Sequence, residues 1–347
     1  MSGSEVPGQA ARAAAAGAAG PGDEAASAMA VVSRAAADGG PGAPARSPGA
    51  PGQARGAAAS GVWQQMARAF LANKLSLVGL GIVILMLLLC FVGPLLYHTN
   101  QTNAQLALTS NVPTNAAPSA AHLLGTDNSS FDELGRIMYA GQSDLEVALA
   151  AALLATLAGV VWGAVAGFVG GVIDTVMMRV VDAVLAVPAL LLLIVISDLY
   201  KPSKPFLILL IGLVAWLVPA RLVRAETLSL RTREYVQAVQ MFGGSNWRIV
   251  FRHIIPNALS TIVVNTTFQV ADAILFLAAL GYLGLGIQPP GTDWGTMLST
   301  AVSDGAVVNN YWWLIWPPGL AIVLVAASFN LAGDALRDGL DVRFQRR

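Results

Sequence analysis

The chain alternates between long apolar runs and short polar joints, and the runs are longer than a soluble core requires. No charged residue interrupts Leu75–Tyr97 or Val147–Ile173. A helix rises about 1.5 Å per residue, so about 20 residues cross a hydrocarbon layer about 30 Å thick. A third run, Thr175–Ser197, carries Arg179 and Asp182 near its start, and a fourth, Pro205–Ala220, is shorter. The fifth, Asn257–Leu285, contains Asp272, and the sixth lies within the uncharged stretch Gly305–Gly333. Lipid offers no water to orphan backbone groups, so helices are expected to do the crossing. The pattern predicts an all-α membrane protein with about six transmembrane helices.

Residues 1–62 read differently. Of the first 60 residues, 22 are Ala, 11 Gly and 6 Pro. Such a stretch buries too little apolar surface to offset its ordering entropy, which predicts a disordered tail. A signal peptide is the competing reading, but no strongly apolar core of about 7–15 residues follows Arg12. The remainder divides into an N-terminal region with the first span (63–98), an extracytoplasmic loop (99–143), a core (144–334) and a basic C-terminus (335–347).

Composition supports this division. Only 12% of residues are charged, about half the usual share of a soluble domain. Lys+Arg and Asp+Glu are both 20, and that balance argues against a nucleic-acid partner. The bases are unevenly placed. Segments 63–74, 170–179, 221–256 and 334–347 hold 13 of them, whereas the intervening loops hold only Arg136, Lys201 and Lys204. By the positive-inside bias, the basic side is cytoplasmic and both termini lie inside.

Catalytic signatures are missing. The three lysines, Lys74, Lys201 and Lys204, follow Asn, Tyr and Ser, so no phosphate-binding G-K-[ST] loop exists. His98, His122 and His253 are too scattered for a zinc-binding helix motif, and Cys90 is alone. Cys90 reads as a small hydrophobe facing lipid or a neighbouring helix. Gly281-Tyr-Leu-Gly-Leu-Gly286 follows an apolar span, which suggests close helix packing and a helix end rather than a nucleotide loop.

The joint 232–257 is too polar to span and too patterned to be slack. Tyr235, Ala238, Val239 and Phe242 share one helical stripe, as do Trp247, Val250, Phe251 and Ile254. Thr232 and Ser245 are placed to cap two short helices, Gly243-Gly244 to separate them and Pro256 to close the unit. The pair could float on lipid headgroups or fit a groove on a soluble partner. In the fifth run Asn265, Gln269 and Asp272 share a face, either of a substrate pathway or of a packed helix interface.

Gln237-Ala-Val, then Gly243 after three residues, then His253-Ile-Ile-Pro256 after nine more, resembles the cytoplasmic loop of binding-protein-dependent ABC importer permeases. Gln237, Val239, His253 and Ile255 depart from the general pattern, and the Arg-His-Ile-Ile-Pro-Asn ending resembles the dipeptide, oligopeptide and nickel branch. Further segments resemble the C-type subunits of that branch: Phe70–Gly79, His122-Leu-Leu-Gly-Thr-Asp127, Arg221–Arg224, Leu280–Gly286 with Pro289-Pro290 and Trp294-Gly295, and Gly333–Asp341. Ser130-Phe-Asp132 stands where the family usually has Gly-Arg-Asp, and Leu277 where a Glu is frequent.

The resemblance, over about 63–347, implies a type I ABC importer-like permease with a cytoplasmic coupling helix. It implies several partners in a lipid membrane: a second homologous permease, one or two ATPases that hold ATP and Mg, and an extracytoplasmic binding protein. The chain itself would need no cofactor, metal or catalytic residue. Ala238, Gly243 and Pro256 would shape the coupling elbow, with His253 inside its motif. Phe242 and Trp247 would pack on the ATPase, and Glu234, Arg248 and Arg252 would pair at its rim. The expected cargo is dipeptides or oligopeptides, with nickel chelates, glutathione or oligosaccharides as alternatives. A different class, an ion-coupled secondary transporter using Asp272, Asp182 and Arg179, leaves the elbow unexplained. A membrane-embedded enzyme lacks clustered nucleophile, base or metal ligands.

Overall fold

In this computed structural model the chain divides into two units, Met1–Ala58 and Ala59–Arg347. The described residues, 74–101, 103, 112–200 and 202–345, all fall in the second unit. The expected disordered tail, 1–62, lies outside them. Among the described residues there is no strand, only an isolated bridge between Thr126 and Asp132.

The described residues form ten helices in order. They are α1 (Lys74–Leu96), α2 (Glu133–Val169), α3 (Gly171–Leu185), α4 (Ala189–Leu199), α5 (Lys204–Ala215), α6 (Leu217–Arg231), α7 (Glu234–Met241), α8 (Asn246–Tyr282), α9 (Trp294–Ser303) and α10 (Trp312–Gln345). Four of them, α1, α2, α8 and α10, are long and apolar enough to cross a membrane singly. The pairs α3–α4 and α5–α6 qualify only together, bent by 76° and 42°. The expected third and fourth spans are therefore broken helices, giving four to six crossings by length and composition. Proline chemistry accounts for both breaks. Pro188 disfavours a helical Val187 and has no N–H, and Pro219 cannot donate to the Ala215 carbonyl that ends α5.

Helix ends correct other expectations. Helix α2 begins at Glu133, inside the segment read as loop, because Asp132 caps it by accepting from Gly135 N at 2.8 Å. Helix α10 runs on to Gln345, past the expected end of the sixth run. Pro256 does not close the elbow, because the second elbow helix runs straight into the fifth span as α8. A π turn, Val250–Ile254, inserts one extra residue just upstream of Pro256, where a carbonyl would otherwise lose its donor. The Asn257 side-chain amide donates to the His253 carbonyl there.

Helix α2 is the central post. It packs against α5, α6 and α8, while α10 packs against α8 and α1. The main core gathers Leu145, Leu193, Leu207, Ile211, Ile274 and Trp294 from five of these elements. Cys90 faces protein. It is fully buried, and its carbonyl accepts from Gln142 Nε2 at 2.7 Å.

The seam of α2 against α6 is tight. A Cβ on Gly163 would sit 2.3 Å from the Ala220 carbonyl oxygen, and one on Gly159 would sit 2.8 Å from that of Trp216. Lipid supplies no hydrophobic drive between helices, so backbone proximity and packing must hold them together. Gly163→Val is therefore expected to destabilise the protein by about 1–3 kcal/mol, read as a lower thermal midpoint in detergent. Gly81→Ala, where a Cβ meets nothing within 4 Å, should leave that midpoint in place.

Candidate functional site

The polar joint between α6 and α8 forms an elbow with a buried base and an exposed tip. Helix α7 ends in a Schellman motif: Gly243 N bonds the Gln240 carbonyl at 3.0 Å and Gly244 N that of Val239 at 2.9 Å. Gly243 has φ +75° with open space around it. Glycine is favoured there by backbone conformation rather than by crowding. The base is a small core of Val236, Ile249, Val250 and Ile254 against Val160, Ala164 and Val223.

The periodicity pointed to a different face. Tyr235 and Phe242 of the first expected stripe are exposed, Phe242 by 92%. Ala238 is half-buried and Val239 packs on the base. In the second stripe Val250 and Ile254 are buried, whereas Trp247 and Phe251 project outward and stack, ring centroids 5.6 Å apart. An amphipathic helix with apolar groups on two sides has one face for its own protein and one left over, and hydrophobic spacing alone does not tell them apart. Met241, 81% exposed, extends the outer face. Glu234, Arg248 and Arg252 are exposed around it, and no ion pair joins them among the described residues. His253 is half-buried and Pro256 exposed. The expected caps are absent as side-chain bonds. Arg233 holds the N-cap of α7, Thr232 Oγ1 donates back to the Ser229 carbonyl at 2.9 Å, and Ser245 makes no cap bond.

Paired charges tie the elbow's root to its neighbours. Arg224 grips Asp174 through Nε and Nη2 at 2.5 and 2.6 Å, and Arg221 meets Asp182 at 2.5 Å. Arg231 Nη1 donates to the Gly167 carbonyl at 3.0 Å. Asp182 thus already has a cation, which removes one of the charges that the ion-coupled alternative would use. The bidentate partner Asp174 was missed in the sequence. A lone Asp three residues past Gly171 carries no signal until the fold brings Arg224 beside it.

Deeper in the membrane region, Gln269 and Asp272 come together on the wall of a cavity of about 190 Å³. Its other walls include Val184, Leu192, Val214, Val218 and Phe276. Asn265 is not among its lining residues, and its Oδ1 is buried without a partner among the described residues. The three-residue face read from the sequence is therefore divided, with two members on the cavity and one packed away from it.

At the opposite end from the elbow, the segment before α2 forms a hydrogen-bonded cap. Asp127 Oδ1 accepts from Ser129 N at 2.9 Å and Phe131 N at 2.8 Å. Asp132 Oδ2 accepts from Tyr97 OH at 2.8 Å and lies 2.9 Å from His122 Nδ1. Burial raises the Asp127 carboxyl above its ordinary range. Burial, and then the Asp132 bond, push the Tyr97 hydroxyl up to about 12. Asp293 caps α9, accepting from Thr296 N at 2.8 Å, Thr296 Oγ1 at 2.7 Å and Ile287 N at 2.8 Å. Gly281 and Gly286 leave the space this carboxylate fills, since a Cβ on either would lie within 2.3 Å of it. The glycine-rich run is thus a packing and helix-end device. Trp294, fully buried, donates its indole N–H to the Ile137 carbonyl at 3.0 Å.

Comparison with known proteins places these features in a family. The family described as binding-protein-dependent transport system inner membrane component matches residues 159–346, and that described as the N-terminal TM domain of oligopeptide transport permease C matches 61–118. The oligopeptide transport system permease protein OppC of Escherichia coli K12 is 39% identical over 280 residues, covering 81% of this chain and 91% of the relative. The dipeptide transport system permease protein DppC of the same strain is 41% identical over 284 residues, covering 82% and 94%. DppC of Alkalihalophilus pseudofirmus is 36% identical over 283 residues, covering 82% and 90%.

The two faces of the elbow respond differently to truncation. Ile254→Ala empties part of the buried base and is expected to cost about 2–5 kcal/mol. Trp247→Ala removes an outward ring and should shift the thermal midpoint in detergent far less.

Proposed function

The chain belongs to the family of binding-protein-dependent transport system inner membrane components, and from that membership and the site geometry we propose how it works. It is a permease subunit of an ABC importer for peptides, with a type I permease fold in a bacterial inner membrane. It forms half of the translocation pathway and a second, homologous permease forms the other half. Both termini and the elbow lie in the cytoplasm, where one or two ATPase subunits bind ATP and Mg. A binding protein delivers cargo to the outer face. Hydrolysis belongs to the partners. This chain contributes contacts that differ between two conformations, which is the physical requirement for coupling.

The observation that carries the proposal is the elbow's outer face. Phe242, Met241, Trp247 and Phe251 stand exposed on a base that is itself packed into α2 and α6. A large apolar tip on a firm root can push or be pushed, whereas a tip on a slack loop would absorb the motion. Aromatic side chains seated in a groove supply most of such an interface's energy, and the flanking Glu234, Arg248 and Arg252 would orient it. The root in turn joins the membrane core through Arg224–Asp174 and Arg231–Gly167. Tip displacement therefore reaches α2 and the breaks beside the cavity.

Two variants test the assignment in the complete complex reconstituted with its partners. Gly243→Pro cannot adopt the +75° φ of the corner. It is expected to abolish ATP hydrolysis stimulated by loaded binding protein while the permease still inserts. Phe242→Ala with Trp247→Ala should lower that stimulation about tenfold or more, as loss of two hot-spot aromatics implies. Full stimulation in either variant would remove the elbow from the coupling route.

A further inference from the structure

We infer that Asp272, with Gln269 beside it, forms a subsite in the pathway that receives the ammonium group of a passing peptide. The inference rests on the importer reading above and adds a direct substrate contact to it.

Asp272 lies within the membrane-spanning part of α8 and makes no ion pair or hydrogen bond among the described residues. A carboxylate in a span is costly, and it is retained where water or a counter-charge can reach it. Two other acids near the elbow root, Asp174 and Asp182, have Arg224 and Arg221 as internal cations. Asp272 has none, although it carries the sole formal charge among the residues lining its cavity. An unanswered negative charge in a chamber with no other charged side chain selects for a cation brought from outside.

Gln269 is an independent second observation. The residue is only 4% exposed and lines the same cavity, and its side chain has no hydrogen-bond partner among the described residues. Its amide atoms are not sealed off, so water or a ligand can reach and satisfy them. A primary ammonium offers three donors, enough for the Asp272 carboxylate and the Gln269 carbonyl together.

The backbone around the cavity points the same way. Both helix breaks open on it: Val187, Pro188 and Ala189 line it from the α3–α4 bend, and Ala215 and Leu217 from the α5–α6 bend. Irregular backbone at membrane depth persists where it is buried in protein or borders a water-filled space. A chamber with a single carboxylate, one amide and otherwise apolar walls fits an ammonium group carried on an apolar body. Asp272 itself is exposed on this chain, so its carboxylate is open to a group that arrives from outside it.

The test uses the complete complex in proteoliposomes: this chain, its sister permease, the ATPases and the binding protein. Three peptides are compared, each first chosen because the binding protein holds it. They are a peptide with a free α-amine, its Nα-acetyl form, and an Nα-acetyl form with one Lys side chain. The binding protein is the same throughout, so the ratio of variant to wild-type uptake for each peptide cancels its own preference. Asp272→Asn is expected to lower uptake of the free-amine peptide about tenfold, the size of a lost charged hydrogen bond. Asp272→Glu should restore most of it, and Nα-acetyl peptide uptake should change less than about twofold. Loss for the Lys-bearing acetyl peptide would show that any primary ammonium serves, and no loss that the α-ammonium alone is read. Equal loss for free-amine and acetylated peptides would make Asp272 a structural residue, and no loss for either would remove it from the substrate route. Both outcomes overturn the subsite and leave the importer reading standing. That reading fails separately if wild-type complex takes up no peptide with ATP.

Discussion

The close approach of α6 to α2 is the contact on which the rest of the protein depends. In lipid two apolar helices gain little from burial against each other, so the attraction must come from packing and from polar groups brought within reach. Gly159, Gly163 and Gly167 let the backbone of α6 lie directly on α2. At that distance Arg231 can reach the Gly167 carbonyl, and Val223 can join Val160 and Ala164 in the elbow's base. With side chains along that stripe the helices would stand apart, and the elbow would lose its footing.

The second organising feature is the break. Pro188 and Pro219 interrupt two spans beside the same stretch of α8, and the chamber between them holds Gln269 and Asp272. A straight bundle would close that space with side chains. Bent helices leave room, and their free backbone groups favour water. The α5–α6 bend is also the upper end of the helix that carries the elbow. The element that faces the cavity and the element that bears the elbow's exposed tip are therefore continuous.

Much of this was legible in the sequence because membrane chemistry is stringent. The uncharged run from Leu75 to Tyr97 has few alternatives to a crossing helix, and α1 occupies nearly all of it. Gly243-Gly244 marked a corner because the Schellman motif favours a positive φ at its C′ position, and the structure has it there. The Gly281–Gly286 run read as close packing, and Asp293 fills the space that those glycines leave. Other features were illegible for stated reasons. The stripe through Tyr235, Ala238, Val239 and Phe242 merged two faces, because apolar residues at helical spacing serve an internal core and an external partner alike. Pro256 looked like a terminator, and a π turn upstream let the helix continue through it. Thr232 looked like a cap, but its hydroxyl turned back to Ser229.

By itself the sequence determined what each segment could tolerate: which runs can lie in lipid, where a backbone must turn, and which joints gather the bases. Those follow from local chemistry, since a missing N–H, a positive φ or an uncharged run of about 20 residues means the same in any fold. Only the tertiary structure decided which charges have partners. Asp174, Asp182 and Asp272 are equivalent on paper, three acids in or beside apolar runs. Packing gives Arg224 to the first and Arg221 to the second, and sets the third on the wall of a cavity without a cation. The energy of a charge in a low-dielectric interior depends on what stands within a few ångströms of it, and that distance is set by the folded chain.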